Sequence, residues 1–227
     1  MRRRVHGFTL VEVLVAIAIM AMMTLMSWRG LDGMLRSQTG LQARADQINT
    51  LQAGLAQWQT DLNQLAELTG IPSWDWDGKV LRLTRQAPAP SADGVRVVAW
   101  TWRQDPARPG GGDWLRWQSD TLNTRDAWQQ AWQNARIWSQ TPTQDLQRGE
   151  TRVHPLSGWQ LYVYRGNSWV NPLSSAASGQ PASGASTTGA DRTPDGVRLL
   201  LDLPALTPVA GRLSIDWVRP TLTGGAP

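Results

Sequence analysis

The residues of this chain that could do chemistry are few and far apart. His154 is followed by Pro155 in what reads as a turn. A Ser-His-Asp constellation around it would make it the base of a hydrolytic triad, since such triads form in space and not by adjacency in sequence. No nucleophile elbow and no paired histidine ligands accompany it. Asp75-Trp76-Asp77-Gly78 carries the first half of a calcium-loop pattern. A complete loop needs further oxygen ligands ending in a bidentate acid, whereas Lys79 and Val80 follow, so an ordinary turn is the expectation. The third candidate is Glu12, the one charge among the nineteen residues Phe8–Met26. An ionised carboxylate near the centre of a helix in lipid costs on the order of 2.5–3.5 kcal/mol, which calls for a partner. The alternative is that Glu12, five residues into the run, sits among the headgroups and is tolerated there.

Other chemistries are missing from the sequence. There is no cysteine, hence no disulfide or thiolate metal site. No Gly-rich loop ending in Lys-Ser or Lys-Thr is present to cradle a nucleotide phosphate. No catalytic residue, metal or other cofactor is expected, and the chain does not read as an enzyme.

The element around Glu12 is the dominant one. At ~1.5 Å per residue Phe8–Met26 makes a helix about 28 Å long, close to the ~30 Å hydrocarbon thickness of a bilayer. Arg2, Arg3 and Arg4 precede it and form a topology signal, since basic residues beside a first membrane helix hold that end in the cytoplasm. They also account for most of the formal charge of +4: without them 19 basic residues face 18 acidic ones. The basicity is therefore no sign of nucleic-acid binding. A secretory signal would end at small residues near a cleavage site, but here the run passes through Ser27, Trp28 and Arg29 into further helical pattern.

That pattern places Leu41, Ala45, Ile48, Leu51, Leu55, Trp58, Leu62, Leu65 and Leu68 at steps of three or four, one apolar face expected to pack on a sheet. The helix is expected to run from Phe8 to about Leu68, with Gly70 and Pro72 as the stop. Local bending or melting is expected near Gly30–Gly40. Beyond Pro72 the period becomes that of strands: Lys79–Thr84, Val95–Arg103, Trp114–Trp117, Trp159–Arg165, Ser168–Val170, Val197–Leu203 and Arg212–Arg219. Asp126–Ser139 interrupts them as a short helix with a tryptophan face. Ser174–Thr193, nearly all Ser, Ala, Gly and Thr, reads as a flexible loop. The fold class is α+β: a long N-terminal helix, then an antiparallel sheet domain with a small inserted helix. The expected organisation is a leader 1–7, a membrane segment 8–27, an amphipathic continuation 28–70, a β-rich domain 71–222 and a tail 223–227. Of the 14 tryptophans most are expected in the core, with Trp76 or Trp169 as exposed candidates for contact with a neighbour.

The string Gly7-Phe8-Thr9-Leu10-Val11-Glu12-Val13-Leu14-Val15-Ala16-Ile17 resembles the amino-terminal signature of type IV prepilins and type II secretion pseudopilins. The resemblance implies that a prepilin peptidase cuts between Gly7 and Phe8 and N-methylates Phe8. It implies that Glu12 is an assembly contact, pairing with the Phe8 amine of a neighbouring subunit so that each charge relieves the other's desolvation. A weaker resemblance is to the J-type minor pseudopilins. It rests on Trp28-Arg29-Gly30-Leu31-Asp32-Gly33 with Leu35-Arg36-Ser37, on Trp58 through Leu65, and on Gly158-Trp159-Gln160-Leu161, Gly196-Val197-Arg198-Leu199 and Gly211-Arg212-Leu213. It implies I-type and K-type partners with an H-type subunit and the major pseudopilin beside them, an inner-membrane assembly platform, and a bacterial inner-membrane location with the carboxyl-terminal domain in the periplasm. The alternative is a minor pilin of a type IV pilus, serving adhesion, motility or DNA uptake.

Overall fold

The computed structural model describes residues 8–88, 94–165, 167–174, 193–205, 207 and 209–220. Arg2–Arg4, Gly7 and nearly all of the Ser174–Thr193 stretch fall outside these residues. The chain divides into two compact units, 1–46 and 47–227. One helix, α1 (Leu10–Asn63), begins in the first and ends in the second.

In the first unit α1 presents its apolar side chains outward: Leu10, Val11, Leu14, Ile17, Met20 and Met23 are all exposed, as is Phe8 just ahead of the helix. Among the described residues it is the one helix long and apolar enough to cross a membrane, with a mean hydropathy of 2.3 over its most apolar window. The melting expected near Gly30–Gly40 does not occur. Each glycine there costs about 1 kcal/mol relative to Ala, but a helix of 54 residues spreads its nucleation cost over many hydrogen bonds. Asp32 and Arg36, one turn apart, pair at 2.7 Å.

In the second unit α1 stops at Asn63, five residues before Leu68. The reason is competition for backbone hydrogen bonds. The Ala66 N–H donates to Thr84 O and the Gln86 N–H to Gln64 O, so the segment after the helix pairs with a strand edge. The expected apolar face is realised only in part. Leu51, Trp58 and Leu62 are buried and Leu55 and Leu65 pack against them, whereas Leu41, Ala45 and Leu68 are exposed. Gly54 lies on the buried face, where an added Cβ would overlap Val153 Cγ1 and stand 3.3 Å from Trp114 Cζ3. Glycine is what lets the helix approach so closely.

Two antiparallel sheets complete this unit. The first has five strands in sequence order: β1 (Trp74–Trp76), β2 (Val80–Gln86), β3 (Val95–Gln104), β4 (Gly112–Gln118) and β5 (Glu150–Leu156). The second is ordered β7-β6-β8-β9 from β6 (Gly158–Arg165), β7 (Ser168–Val170), β8 (Gly196–Leu203) and β9 (Gly211–Val218). One face of each sheet joins α1 in a shared core that includes Trp74, Leu81, Leu83, Val98, Trp100, Trp114, Leu199, Leu201 and Trp217. The other face of the first sheet is covered by α2 (Arg125–Gln140), whose Trp128, Ala131, Trp132, Ala135 and Trp138 are buried against Val80, Val97, Ala99, Leu115 and Trp117. Thr124 caps α2, its side chain accepting from the Ala127 N–H. A four-residue helix, α3 (Gln144–Gln147), leads into β5.

Strand β5 corrects the expected turn at His154 and Pro155. Pro155 lies within the strand, which is possible because β5 is at the sheet edge and a missing N–H there breaks no central ladder. Trp76 also departs from expectation: it packs against the core, with its ring 5.3 Å from Trp159 in edge-to-face contact. Trp169 is partly exposed, on the outer side of the second sheet beneath the Arg198 guanidinium at 4.3 Å.

Candidate functional site

The first site is the start of α1. Thr9 precedes the first helical residue, and three residues later comes Glu12. The Thr9 N–H and the Thr9 hydroxyl both donate to Glu12 Oε2 at 3.0 Å, and the Glu12 N–H donates back to Thr9 Oγ1 at 3.3 Å. This is a capping box, in which the carboxylate and hydroxyl satisfy backbone donors that no helical carbonyl can reach. The carboxylate also stands at the positive end of the helix dipole. The Glu12 carboxylate therefore has a partner within its own first turn. Phe8, just ahead of the cap, is exposed. Thr9 is the functional residue that the reading of Glu12 passed over; the Thr-x-x-Glu spacing before an apolar run was the signal for it.

The second arrangement has no counterpart in the sequence reading. Asp61, on the buried face of α1, is fully enclosed and is held by two arginines of the first sheet. Arg85 Nη1 donates to Asp61 Oδ1. Arg116 donates from Nε to Oδ2 at 2.7 Å and from Nη2 to Oδ1 at 3.0 Å. Trp100 Nε1 donates to Oδ2 and Gln57 Nε2 to Oδ1, each at 2.9 Å. Both guanidiniums are themselves buried. The pair Arg116 and Asp61 is bidentate, which fixes orientation as well as charge. Five donor groups on one carboxylate leave it no capacity to bind a substrate or move a proton, so the cluster is a fastener between helix and sheet.

The remaining candidates are structural. His154 is buried, 2% exposed, and neither ring nitrogen has a hydrogen-bond partner. Burial holds its pKa below the ordinary histidine value, so the ring is neutral. Among the described residues no hydroxyl or carboxylate is hydrogen-bonded to it as a triad would require. In the turn at Asp75–Gly78, Asp75 is taken by Arg82 and the Asp77 carboxylate accepts from the Lys79 and Val80 N–H groups at 2.9 Å. Gly78 adopts a φ of 93°, the left-handed region that favours glycine. Among the described residues no cluster of three or more His, Asp or Glu is placed to hold a metal ion.

Comparison with known proteins bears on the first site. Residues 2–28 match the prokaryotic N-terminal methylation motif, which spans the three arginines, Gly7, Phe8 and Glu12. A search of curated proteins finds no match to the chain. The motif marks the chain as carrying a type IV prepilin-like amino terminus, that of a structural pilin-type protein or pseudopilin. Such a terminus implies processing by prepilin peptidase and assembly with other pilin-like subunits, and α1 is compatible with anchoring in the inner membrane.

Proposed function

We propose that this chain is a J-type minor pseudopilin of the type II secretion system, a structural subunit of the pseudopilus tip complex. The observation that carries the reading is the prepilin-like motif running directly into an exposed apolar helix capped by Thr9 and Glu12. In this reading prepilin peptidase cuts between Gly7 and Phe8 and methylates the Phe8 amine. Arg2–Arg4 hold the leader in the cytoplasm, and residues beyond the membrane segment lie in the periplasm.

Assembly then turns on Glu12. In the isolated chain its carboxylate accepts from the Thr9 N–H and hydroxyl. In a filament of parallel helices the charged amine of a neighbour's Phe8 offers a stronger, charge-assisted donor. Exchanging one for the other draws the subunit from bilayer into filament, driven through the inner-membrane platform. I-type and K-type subunits, with the H-type subunit and the major pseudopilin, are the partners of this reading, and the pseudopilus exports folded proteins across the outer membrane.

Co-purification of a fragment beginning near Leu35 with I-type and K-type pseudopilins tests it. Stable complexes are expected. Failure with both, alongside binding to type IV minor pilins, would move the chain to a pilus.

A further inference from the structure

Among the described residues the two sheets present four edge strands, and three of them are blunted. β1 and β7 are three residues long. β5 carries Pro155, and its pairing with β4 slips between Trp114 and Leu115. Short edges, prolines and bulges are the devices that keep sheet edges from recruiting another strand. β9 has none of them: it is eight residues long, contains no proline, and pairs with β8 in unbroken register from Gly196 and Val218 to Leu203 and Gly211. Among the described residues no strand pairs with its far side.

The phase of the ladder shows what that side offers. The Arg219 N–H donates to Asp195 O, one step beyond the last β8–β9 pair. Hydrogen-bonding direction alternates along an antiparallel strand. The N–H and C=O groups of Arg212, Ser214, Asp216 and Val218 therefore face outward.

The side chains specify the strand that would fit. β8 and β9 share one pattern: Val197-Arg198-Leu199-Leu200-Leu201-Asp202 and Gly211-Arg212-Leu213-Ser214-Ile215-Asp216. Antiparallel pairing sets each Arg opposite the other strand's Asp, and the pairs form: Arg198 Nη2 to Asp216 Oδ2 at 2.6 Å and Arg212 Nε to Asp202 Oδ1 at 2.7 Å. On the opposite face Leu199 lies across from Ile215 and Leu201 from Leu213. A third strand with the same pattern would bring Arg to Asp216 and Asp to Arg212, continuing both charge rows and both apolar rows.

We propose that the free edge of β9 docks one extended strand of another pilin-like subunit, with Arg and Asp four residues apart and apolar residues at the alternate positions between them. The donor's being a pilin-like subunit rests on the reading above; the edge itself does not. A second copy of this chain is a poor occupant although its β9 has the right pattern. Identical antiparallel strands are related by a two-fold axis normal to the sheet. Such an axis reverses the direction of a helix lying along that sheet, as Leu51–Leu62 of α1 does. Two subunits packed with their Leu51–Leu62 segments parallel, as in the filament of the reading above, cannot both satisfy it.

Because the chain lacks cysteine, disulfide trapping tests the proposal. Full-length Ser214→Cys protein in detergent is equilibrated in a glutathione buffer with a peptide of residues 211–218 that carries Ser214→Cys. A control peptide additionally exchanges the charges, Arg212→Asp with Asp216→Arg, so that like charges meet across the strands. The expectation is capture of the first peptide over the second by about ten-fold, from two cross-strand ion pairs turned repulsive. A Ser168→Cys chain, with its thiol on the short β7, should show no such preference. Equal capture of the two peptides, or an equal preference at position 168, would overturn the docking site. A disulfide-linked dimer of Ser214→Cys protein alone in lipid vesicles would make the occupant a second copy and overturn the assignment to a different subunit. Peptide capture together with failure to bind I-type and K-type subunits would retain the edge and remove the J-type reading; the reverse result would do the opposite.

Discussion

Asp61→Asn is the substitution that most directly probes how the helix is fastened to its domain. Asparagine is nearly the same size, so it leaves no cavity, but it removes the negative charge that faces Arg85 and Arg116. Both guanidiniums are buried, and both direct hydrogen bonds to this carboxylate. Breaking a buried ion pair by removing one partner costs about 3–5 kcal/mol, because the other charge is left without compensation. For a unit of this size 1 kcal/mol moves the melting temperature by roughly 2–4 °C, so a drop of roughly 6–20 °C is expected. Near-UV circular dichroism is the suitable probe, since Trp100 donates to Asp61 and reports on the cluster directly. A buried network is also shielded from salt, so the loss should be the same at low and high ionic strength. Replacing all three charges together, Asp61→Leu with Arg85→Met and Arg116→Met, should recover most of the loss, as apolar packing avoids the desolvation cost. An Asp61→Asn protein that melts within 2 °C of the parent, or a triple variant less stable than the single one, would refute the reasoning.

Other predictions concern the helix start, the buried histidine and the glycines. Glu12→Val should insert and be cleaved yet assemble poorly, and normal filament incorporation of that variant, followed by crosslinking, would show the charge to be incidental. Thr9→Val removes a hydroxyl that both donates to Glu12 and accepts its N–H, and should lower helix stability at that end by about 1 kcal/mol, read as faster hydrogen exchange at Leu10–Glu12. His154 is held below its ordinary pKa by burial, so the unfolded chain binds a proton that the folded one refuses. Its contribution is complete above about pH 6.5 and is lost as pH falls below that, by at most ~1.4 kcal/mol per pH unit. Urea midpoints at pH 7.5 and 5 should therefore diverge less for His154→Leu than for the parent, and equal divergence would refute the assignment. Gly54→Ala should destabilise the domain by about 1–3 kcal/mol through overlap with Val153. Gly40→Ala, with nothing within 4 Å of its added Cβ, should stabilise by up to about 1 kcal/mol, the two compared by thermal melting.

Much of this architecture was legible because its signals are local. The tryptophan face of α2 follows from a 3.6-residue period, and seven of the nine strands among the described residues lie on segments whose alternation or apolar runs mark them. β5 was not legible, because His154 and Pro155 look like a turn until an edge position makes a missing N–H harmless. The end of α1 was misplaced for a similar reason: Gly70 and Pro72 are the visible stops, yet pairing of residues 64–66 with β2 ends the helix earlier. Glu12 stood out by being the one charge in its segment, while its partner Thr9 was hidden among ordinary residues.

The sequence by itself determined the membrane-capable segment, the acid within it and the prepilin-like signature, since each depends on composition and spacing within about thirty consecutive residues. Only the tertiary structure decided the fate of Asp61. In sequence it is one of many polar residues beside an apolar stripe, and Arg85 and Arg116 are 24 and 55 residues away. Burying that carboxylate is feasible only because sheet pairing delivers two guanidiniums to the same point of the helix, a coincidence of position that no local pattern encodes. The open edge of β9 is likewise a property of topology: a strand is an edge only relative to the strands that do not lie beside it.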